Sequence, residues 1–283
     1  MSTTTDHPSA SRLTTAPDGP TTPVARALAD TWTITRRDLQ HWRHMIGARI
    51  FNWLWPVLLM SLFLGLMGGA LGDALGGSYI DFVMPGVLAM TVFLGLEGTM
   101  TAVCQDSSRG ITDRFRSLPM SGIAVVGGRC LADLLDSLVS LVVVVGAGVA
   151  FGWRPETTLM EALAALGLLL LLRIAMLWAG IFVGLRAATP ESLAPINMLV
   201  WPVLFFSSVF IATSTMPGWL ATIADANPIS ATATTARGLL GAPSDSGGTW
   251  FAEHASVLAV VWPVLLIAIF MPMAVSTYRH LRR

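Results

Sequence analysis

The chain has 283 residues, of which 54% are hydrophobic and only 12% charged; an ordinary soluble domain carries about 25% charged residues. Seventeen arginines balance seventeen acids, with no lysine, so the net charge is zero, and no basic stripe interleaved with aromatics supports nucleic-acid binding. Two cysteines, Cys104 and Cys130, without other ligands nearby, make neither a disulfide framework nor a metal site and read as small buried residues.

Residues 1–26 are rich in Ser, Thr and Pro and lack an apolar period, which predicts a disordered cytoplasmic tail. No apolar core follows a basic start and no cleavage site appears, so the tail is not a signal peptide and the first hydrophobic segment is expected to act as an uncleaved anchor. Over 27–50, Leu39, Trp42, Met45, Ile46 and Ile50 recur at spacings of three and four, opposite Arg36, Arg37, Gln40, Arg43 and His44. That pattern predicts an amphipathic helix in the headgroup region; the alternative is an extension of the first spanning helix.

Six apolar blocks follow, at 53–71, 80–104, 128–151, 158–185, 192–212 and 256–277. Crossing a bilayer takes about 20 apolar residues. The expected fold class is therefore an all-α membrane protein with six transmembrane helices. The third block is the weakest, since it must include Asp133 and Asp136 to reach across. Pro56, Pro85, Pro202, Pro263 and Pro272 fall in or at the ends of blocks, where membrane helices tolerate kinks.

Arginine placement sets the orientation. With the N-terminus inside, Arg12, Arg26, Arg36, Arg37, Arg43, Arg49, Arg109, Arg114, Arg116, Arg129, Arg186, Arg279, Arg282 and Arg283 are cytoplasmic. Arg154 and Arg237 are outside, and Arg173 is within the membrane. Both termini are thus expected in the cytoplasm. The external segment 213–252 carries Trp219, Leu220, Ile223, Leu239 and Leu240, followed by a flexible GAPSDSGG turn. It is expected to form short helices dipping into the outer leaflet. No internal repeat is visible.

Arg173 lies near the middle of the fourth block, where a charge costs roughly 2.5–3.5 kcal/mol on insertion scales. Its expected compensators are Glu97 in the second span and Asp133 or Asp136 in the third, giving an intramembrane charge network. Glu97 has no His or second acid three or four residues away, which disfavours a proton relay. His7, His41, His44, His254 and His280 are near or beyond the span ends, and Ser207 and Ser208 lack a Ser-His-Asp arrangement. No metal centre or nucleophilic enzyme is therefore expected, and the two serines read as helix-packing residues.

The cytoplasmic loop 105–122 reads QDSSRGITDRFRSLPMSG. Ile111, Phe115 and Leu118 share one helical face, Asp113, Arg114 and Arg116 point elsewhere, and Pro119 stops the helix. Such a helix suits a groove on a cytoplasmic partner, or else rests on the membrane surface.

The segments RGITDRFRSLPMS (109–121) and FFSSVFIATSTMPGWLATIADANPIS (205–230) resemble those of the ABC-2 type permeases, particularly the daunorubicin-resistance group of drug and lipid exporters. The likeness covers 27–283, which is read as one ABC-2 type transmembrane domain. The group's acids before the loop glycine are reduced here to Asp106, and Thr112 follows Ile111.

The resemblance implies a half-transporter. Two membrane subunits, identical or related, would combine with two ATPase subunits that hold ATP and magnesium. Asp106, Arg109, Ile111, Asp113, Arg114, Phe115, Arg116 and Leu118 would form the ATPase-coupling segment. Met198, Phe205 and Phe206 would line the path of a hydrophobic or amphipathic molecule leaving the cell. The chain has no G-x-x-x-x-G-K-[ST] phosphate loop, so it is not expected to hydrolyse ATP itself. A bacterial inner-membrane location follows. The alternatives are a glycan-exporting permease of the same type or an ion-coupled carrier without an ATPase.

Overall fold

The computed structural model describes residues 46–75, 78–108, 122–242 and 248–280. The tail 1–26, the interfacial segment through Met45 and the coupling loop from Arg109 to Ser121 lie outside the described residues. Among the described residues every regular element is helical. In order they are α1 (Ile46–Leu75), α2 (Tyr79–Ser108), α3 (Gly122–Ala150), α4 (Leu159–Arg186), α5 (Ala194–Phe205), α6 (Gly218–Asp225), α7 (Pro228–Leu239), α8 (Trp250–Glu253) and α9 (Ala255–His280). A short 3-10 turn, Pro190–Leu193, leads into α5.

Five of these helices, α1, α2, α3, α4 and α9, are long and apolar enough to cross a membrane. They match five of the six blocks. Ile46 and Ile50 belong to α1 itself, continuous with the first span. The 192–212 block departs from the expected single helix. It becomes the twelve-residue α5 followed by non-helical backbone at 206–212. At 1.5 Å per residue α5 is about 18 Å long, short of the roughly 30 Å hydrocarbon core.

α2 is the hub. Phe82, Val83, Met84, Val87, Met90 and Val92 are buried in every direction around its axis, as a helix enclosed by others requires. It runs parallel to α4 at close range because α4 offers Gly180 and Gly184 at the contact. A Cβ on Gly184 would lie 2.6 Å from the Met100 carbonyl oxygen, and one on Gly180 would lie 3.0 Å from Thr99 Cβ. Small residues four apart are how membrane helices gain backbone-to-backbone packing where lipid supplies no hydrophobic drive. A capping box starts α4: the Glu161 amide donates to Thr158 Oγ1 at 3.3 Å and the Thr158 amide to Glu161 Oε2 at 2.9 Å.

The outer faces are apolar. Leu54, Leu58, Leu62 and Leu66 recur every four residues on the exposed side of α1. In water this patch would be a liability; in lipid it is the ordinary surface. The described residues of the external segment, 213–242 and 248–253, form α6, α7 and α8, and Trp219, Ile223 and Trp250 stand exposed on them, as side chains anchoring at a membrane interface do.

Gly184→Val is expected to force α4 off α2 and to destabilise the folded protein by about 1–3 kcal/mol. Gly167→Ala, where an added Cβ meets nothing within 4 Å, serves as the control and leaves the melting temperature in detergent unchanged.

Candidate functional site

The end of the fifth block sets the first problem. Once α5 stops, the backbone groups of 203–210 have lost their helical partners, and each buried orphan costs about 1–3 kcal/mol. Four distant side chains take them up. Asn227 Nδ2 donates to the carbonyls of Val203 at 2.7 Å and Phe206 at 2.9 Å, while its Oδ1 accepts from the Ile229 amide at 2.9 Å and so caps α7. Ser230 Oγ accepts from the Ser208 amide at 2.8 Å. Tyr79, at the start of α2, donates its hydroxyl to the Phe210 carbonyl at 2.7 Å.

Arg237 completes the set. Its side chain is 1% exposed, deep between α7, α2 and the unwound segment. Nε donates to the Phe82 carbonyl at 2.8 Å, Nη1 to Ser208 Oγ at 3.3 Å, and Nη2 to the carbonyls of Ser208 and Val209. The guanidinium lies over the Phe82 ring, 3.9 Å from its centroid. Gly86 keeps the place open, since a Cβ there would meet the Val209 carbonyl oxygen at 2.6 Å and Arg237 Nη2 at 3.1 Å. Phe63 of α1 stacks on Phe210 with centroids 4.0 Å apart, closing the segment from the other side.

This refines two readings of the sequence. Arg237, which the sequence reading only counted among the arginines of the external segment, is a buried donor that organises the backbone. Ser207 and Ser208 are buried residues of the unwound stretch, and Ser208 works through its amide, carbonyl and hydroxyl. The Met-Pro…Asn-Pro motif was visible, but it gave no sign that Asn227 holds the preceding carbonyls.

The second cluster surrounds Arg173, 3% exposed. Its Nε donates to Ser137 Oγ at 2.6 Å and its Nη2 to Thr99 Oγ1 at 3.0 Å. The Thr99 hydroxyl donates in turn to Asp133 Oδ2 at 2.8 Å, which sits 3.9 Å from Arg173 Nη2. The guanidinium lies flat on α2 because residue 95 is glycine: a Cβ there would fall 2.8 Å from Arg173 Cζ. Of the three acids expected beside Arg173, Asp133 alone reaches it. Asp136 instead accepts from Arg49 Nη1 at 2.8 Å and Trp53 Nε1 at 3.0 Å, tying α1 to α3. Glu97 stands apart from the network, its Oε1 buried without a hydrogen-bond partner.

The charges form a descending row. Asp133 also pairs with Arg129 at 3.2 Å, and Arg129 lies 3.8 Å from Asp106. Of the expected coupling residues, Asp106 is at this lower end of α2. Arg109, Ile111, Asp113, Arg114, Phe115, Arg116 and Leu118 lie outside the described residues. In the turn before α5, the Thr189 hydroxyl and Glu191's own amide hold the Glu191 carboxyl below its usual range. Met198 and Phe205 of α5 and Phe206 just beyond its end are 77%, 52% and 48% exposed. Among the described residues no group of His, Cys, Asp and Glu is placed to hold a metal ion.

The chain matches the family described as ABC-2 type transporter over residues 29–240. It is 32% identical over 259 residues to the daunorubicin resistance ABC transporter permease protein DrrB1 of Streptomyces coeruleorubidus, covering 90% of this chain and 89% of that one. It is also 23% identical over 221 residues to the probable doxorubicin resistance ABC transporter permease protein DrrC of Mycobacterium tuberculosis, covering 78% and 79% of the two chains.

Asn227→Ala is expected to destabilise the protein by roughly 2 kcal/mol, and Asn227→Asp by as much, because aspartate still caps α7 but donates nothing to Val203 and Phe206. Thermal unfolding in detergent checks this; full rescue by aspartate would reduce Asn227 to a cap. Asp133→Asn leaves Arg173 without its counter-charge and is expected to cost about 3–5 kcal/mol. Adding Arg173→Met to that variant should recover much of the loss, which a double-mutant cycle reads directly.

Proposed function

Because the chain belongs to the ABC-2 type transporter family, we propose that it is the membrane-spanning half of an ATP-driven exporter of hydrophobic or amphipathic molecules. The observation that carries this is the 32% identity to a drug-resistance permease along 90% of the chain. Five long apolar helices make it a multi-pass membrane protein. In our reading the broken fifth block completes a sixth crossing, with both termini in the cytoplasm of a bacterial cell. Non-helical backbone at membrane depth is tolerated where protein buries and satisfies it, as Arg237, Asn227, Ser230 and Tyr79 do here.

Function then follows from the two clusters. The loop 109–121 engages an ATPase subunit that binds ATP and magnesium; two such subunits serve two permeases, identical or homologous. Closure of the ATPase pair moves that loop, which joins the end of α2 to the start of α3. The row Asp106–Arg129–Asp133–Arg173 links those helices to α4, so the three move as one body rather than separately. The exposed side of α5, with Met198, Phe205 and Phe206, borders the path of the exported molecule, and the Arg237 clamp fixes the upper end of that wall.

Expressed with an ABC ATPase subunit from the same organism, the chain should co-purify in mild detergent as a complex whose ATP hydrolysis rises several-fold with amphipathic compounds. Inside-out vesicles carrying the complex should accumulate such a compound only with ATP. Transport driven by a proton gradient without any ATPase, or labelling of a cysteine placed at 113 from the periplasmic side of intact cells, would overturn the reading.

A further inference from the structure

Arg186, the last residue of α4, stands apart from every other arginine whose side chain the structure describes. Arg49, Arg129 and Arg173 give their donors to aspartates or hydroxyls, and Arg154 and Arg237 give theirs to backbone carbonyls. Among the described residues no oxygen accepts from Arg186. It is exposed and lies over the Phe182 ring, 5.4 Å from the centroid. The C-terminus of a helix favours a cation. That accounts for the charge, but not for a guanidinium seated on a ring with its donors turned to no protein group.

The surroundings are apolar on one side and cationic on the other. α4 and α9 run side by side in the same direction. Leu168 clusters with Leu258 and Trp262 at one end, and Leu177, Ile181 and Leu185 cluster with Ala274 and Tyr278 at the other. One turn before Arg186, Phe182 meets Phe270 of α9 with ring centroids 5.7 Å apart. Both rings are half-buried, and Met273, one turn on from Phe270, is 38% exposed. The seam between α4 and α9 is thus apolar up to the point where Arg186 ends it. No acid occurs in 162–190 or in 254–283, while the sequence adds Arg279, Arg282 and Arg283 at the end of α9 and just past it. Glu191, the next acid along the chain after α4, is engaged by the Thr189 hydroxyl and its own amide. Asp106 and Asp133 are paired with Arg129 and Arg173.

We propose that the cytoplasmic end of the α4–α9 seam holds an anionic phospholipid, its phosphate on the Arg186 guanidinium and an acyl chain along Phe182, Phe270 and Met273. A planar fork of donors matches two phosphate oxygens, and its weakly hydrated face can stay on the ring meanwhile. Basic positions between membrane helices at the headgroup level take such lipids. A zwitterionic lipid offers the same phosphate, but its ammonium meets an end of the bundle rich in arginine. A soluble phosphate lacks the chain that the rings would cover. The site goes beyond the exporter reading and is independent of what is exported; it takes from that reading only that these helix ends face the cytoplasm.

Native mass spectrometry of the full chain in detergent, titrated with dioleoyl phosphatidylglycerol or dioleoyl phosphatidylethanolamine, tests this. The wild type should prefer the glycerol lipid about tenfold or more, the order of one charge-assisted hydrogen bond. Arg186→Gln should remove most of that preference and Arg186→Lys should keep part of it. Phe182→Leu, which takes the ring from under the guanidinium, should lower it about threefold, the order of an exposed cation–ring contact. Arg154→Gln, at the end of α3, should leave it unchanged. A wild-type ratio near one overturns the proposal, as does a preference that survives Arg186→Gln or falls equally in Arg154→Gln. Displacement of the lipid by excess inorganic phosphate also overturns it, in favour of a soluble anion. If Arg186→Gln fails to fold, Phe182→Leu decides, and an unchanged preference there sinks the site. Lipid selectivity in detergent does not depend on sidedness, so labelling at 113 judges the orientation and this titration judges the site.

Discussion

The guanidinium of Arg237 lies where water does not reach, among the carbonyls of Phe82, Ser208 and Val209 and the hydroxyl of Ser208. A planar group with five donors is suited to this task. It serves several acceptors at once, and its weakly hydrated face can rest on an aromatic ring such as Phe82. An apolar side chain of equal volume would fill the space but leave the buried, unwound backbone without donors for its carbonyls. The break in the fifth block therefore exists because α7 folds back to supply this donor. Asn227, at the head of α7, does the same for Val203 and Phe206. The position of α7, the end of α5 and the start of α2 are three consequences of one hydrogen-bonded junction.

The Arg173 cluster answers a different demand. Here the charge is met by a shared network rather than by carbonyls, with Thr99 and Ser137 as relays between guanidinium and Asp133. Pairing within the bilayer does not add much net stability, but removing one member is costly. Such a network is better understood as fixing which faces of α2, α3 and α4 meet. Gly180 and Gly184 make the same choice by shape, since a side chain at either would push α2 and α4 apart, while Gly95 leaves the Arg173 guanidinium its place.

The sequence shows long helices well and breaks poorly. Five spans were legible because an uninterrupted apolar run of bilayer length has few other uses. Arg173 was legible as a charge needing a partner, and Asp133 was among the acids named. Glu97 was named too, yet it stands off the network, because two residues along a helix from Gly95 place it on the far side of α2. That rotation depends on packing and not on composition. The break at 206–212 was hidden for another reason. Apart from Ser207 and Ser208 the residues are apolar and read as more helix, while the groups that hold them open come from Tyr79, Asn227, Ser230 and Arg237, distant in sequence. Counting arginines by loop gave Arg237 a side but not a role, because a count carries no information about which side chains are buried.

α2 brings the two clusters into mechanical contact. Its lower end carries Asp106, its middle carries Gly95 and Thr99 against Arg173, and its upper end gives Arg237 the Phe82 carbonyl. On a further face Met100 and Cys104 pack against the turn that begins α5. α2 therefore joins both clusters in one helix, its hydrogen-bond ladder interrupted at Pro85, which has no amide to donate, and α5 is the short piece beside it. α5 is bounded below by a 3-10 turn and above by unwound backbone. Its upper end is held, since Asn227 bonds the Val203 and Phe206 carbonyls and Arg237 those of Ser208 and Val209. The exposed wall formed by Met198, Phe205 and Phe206 thus hangs from the same junction that positions α7 and the start of α2.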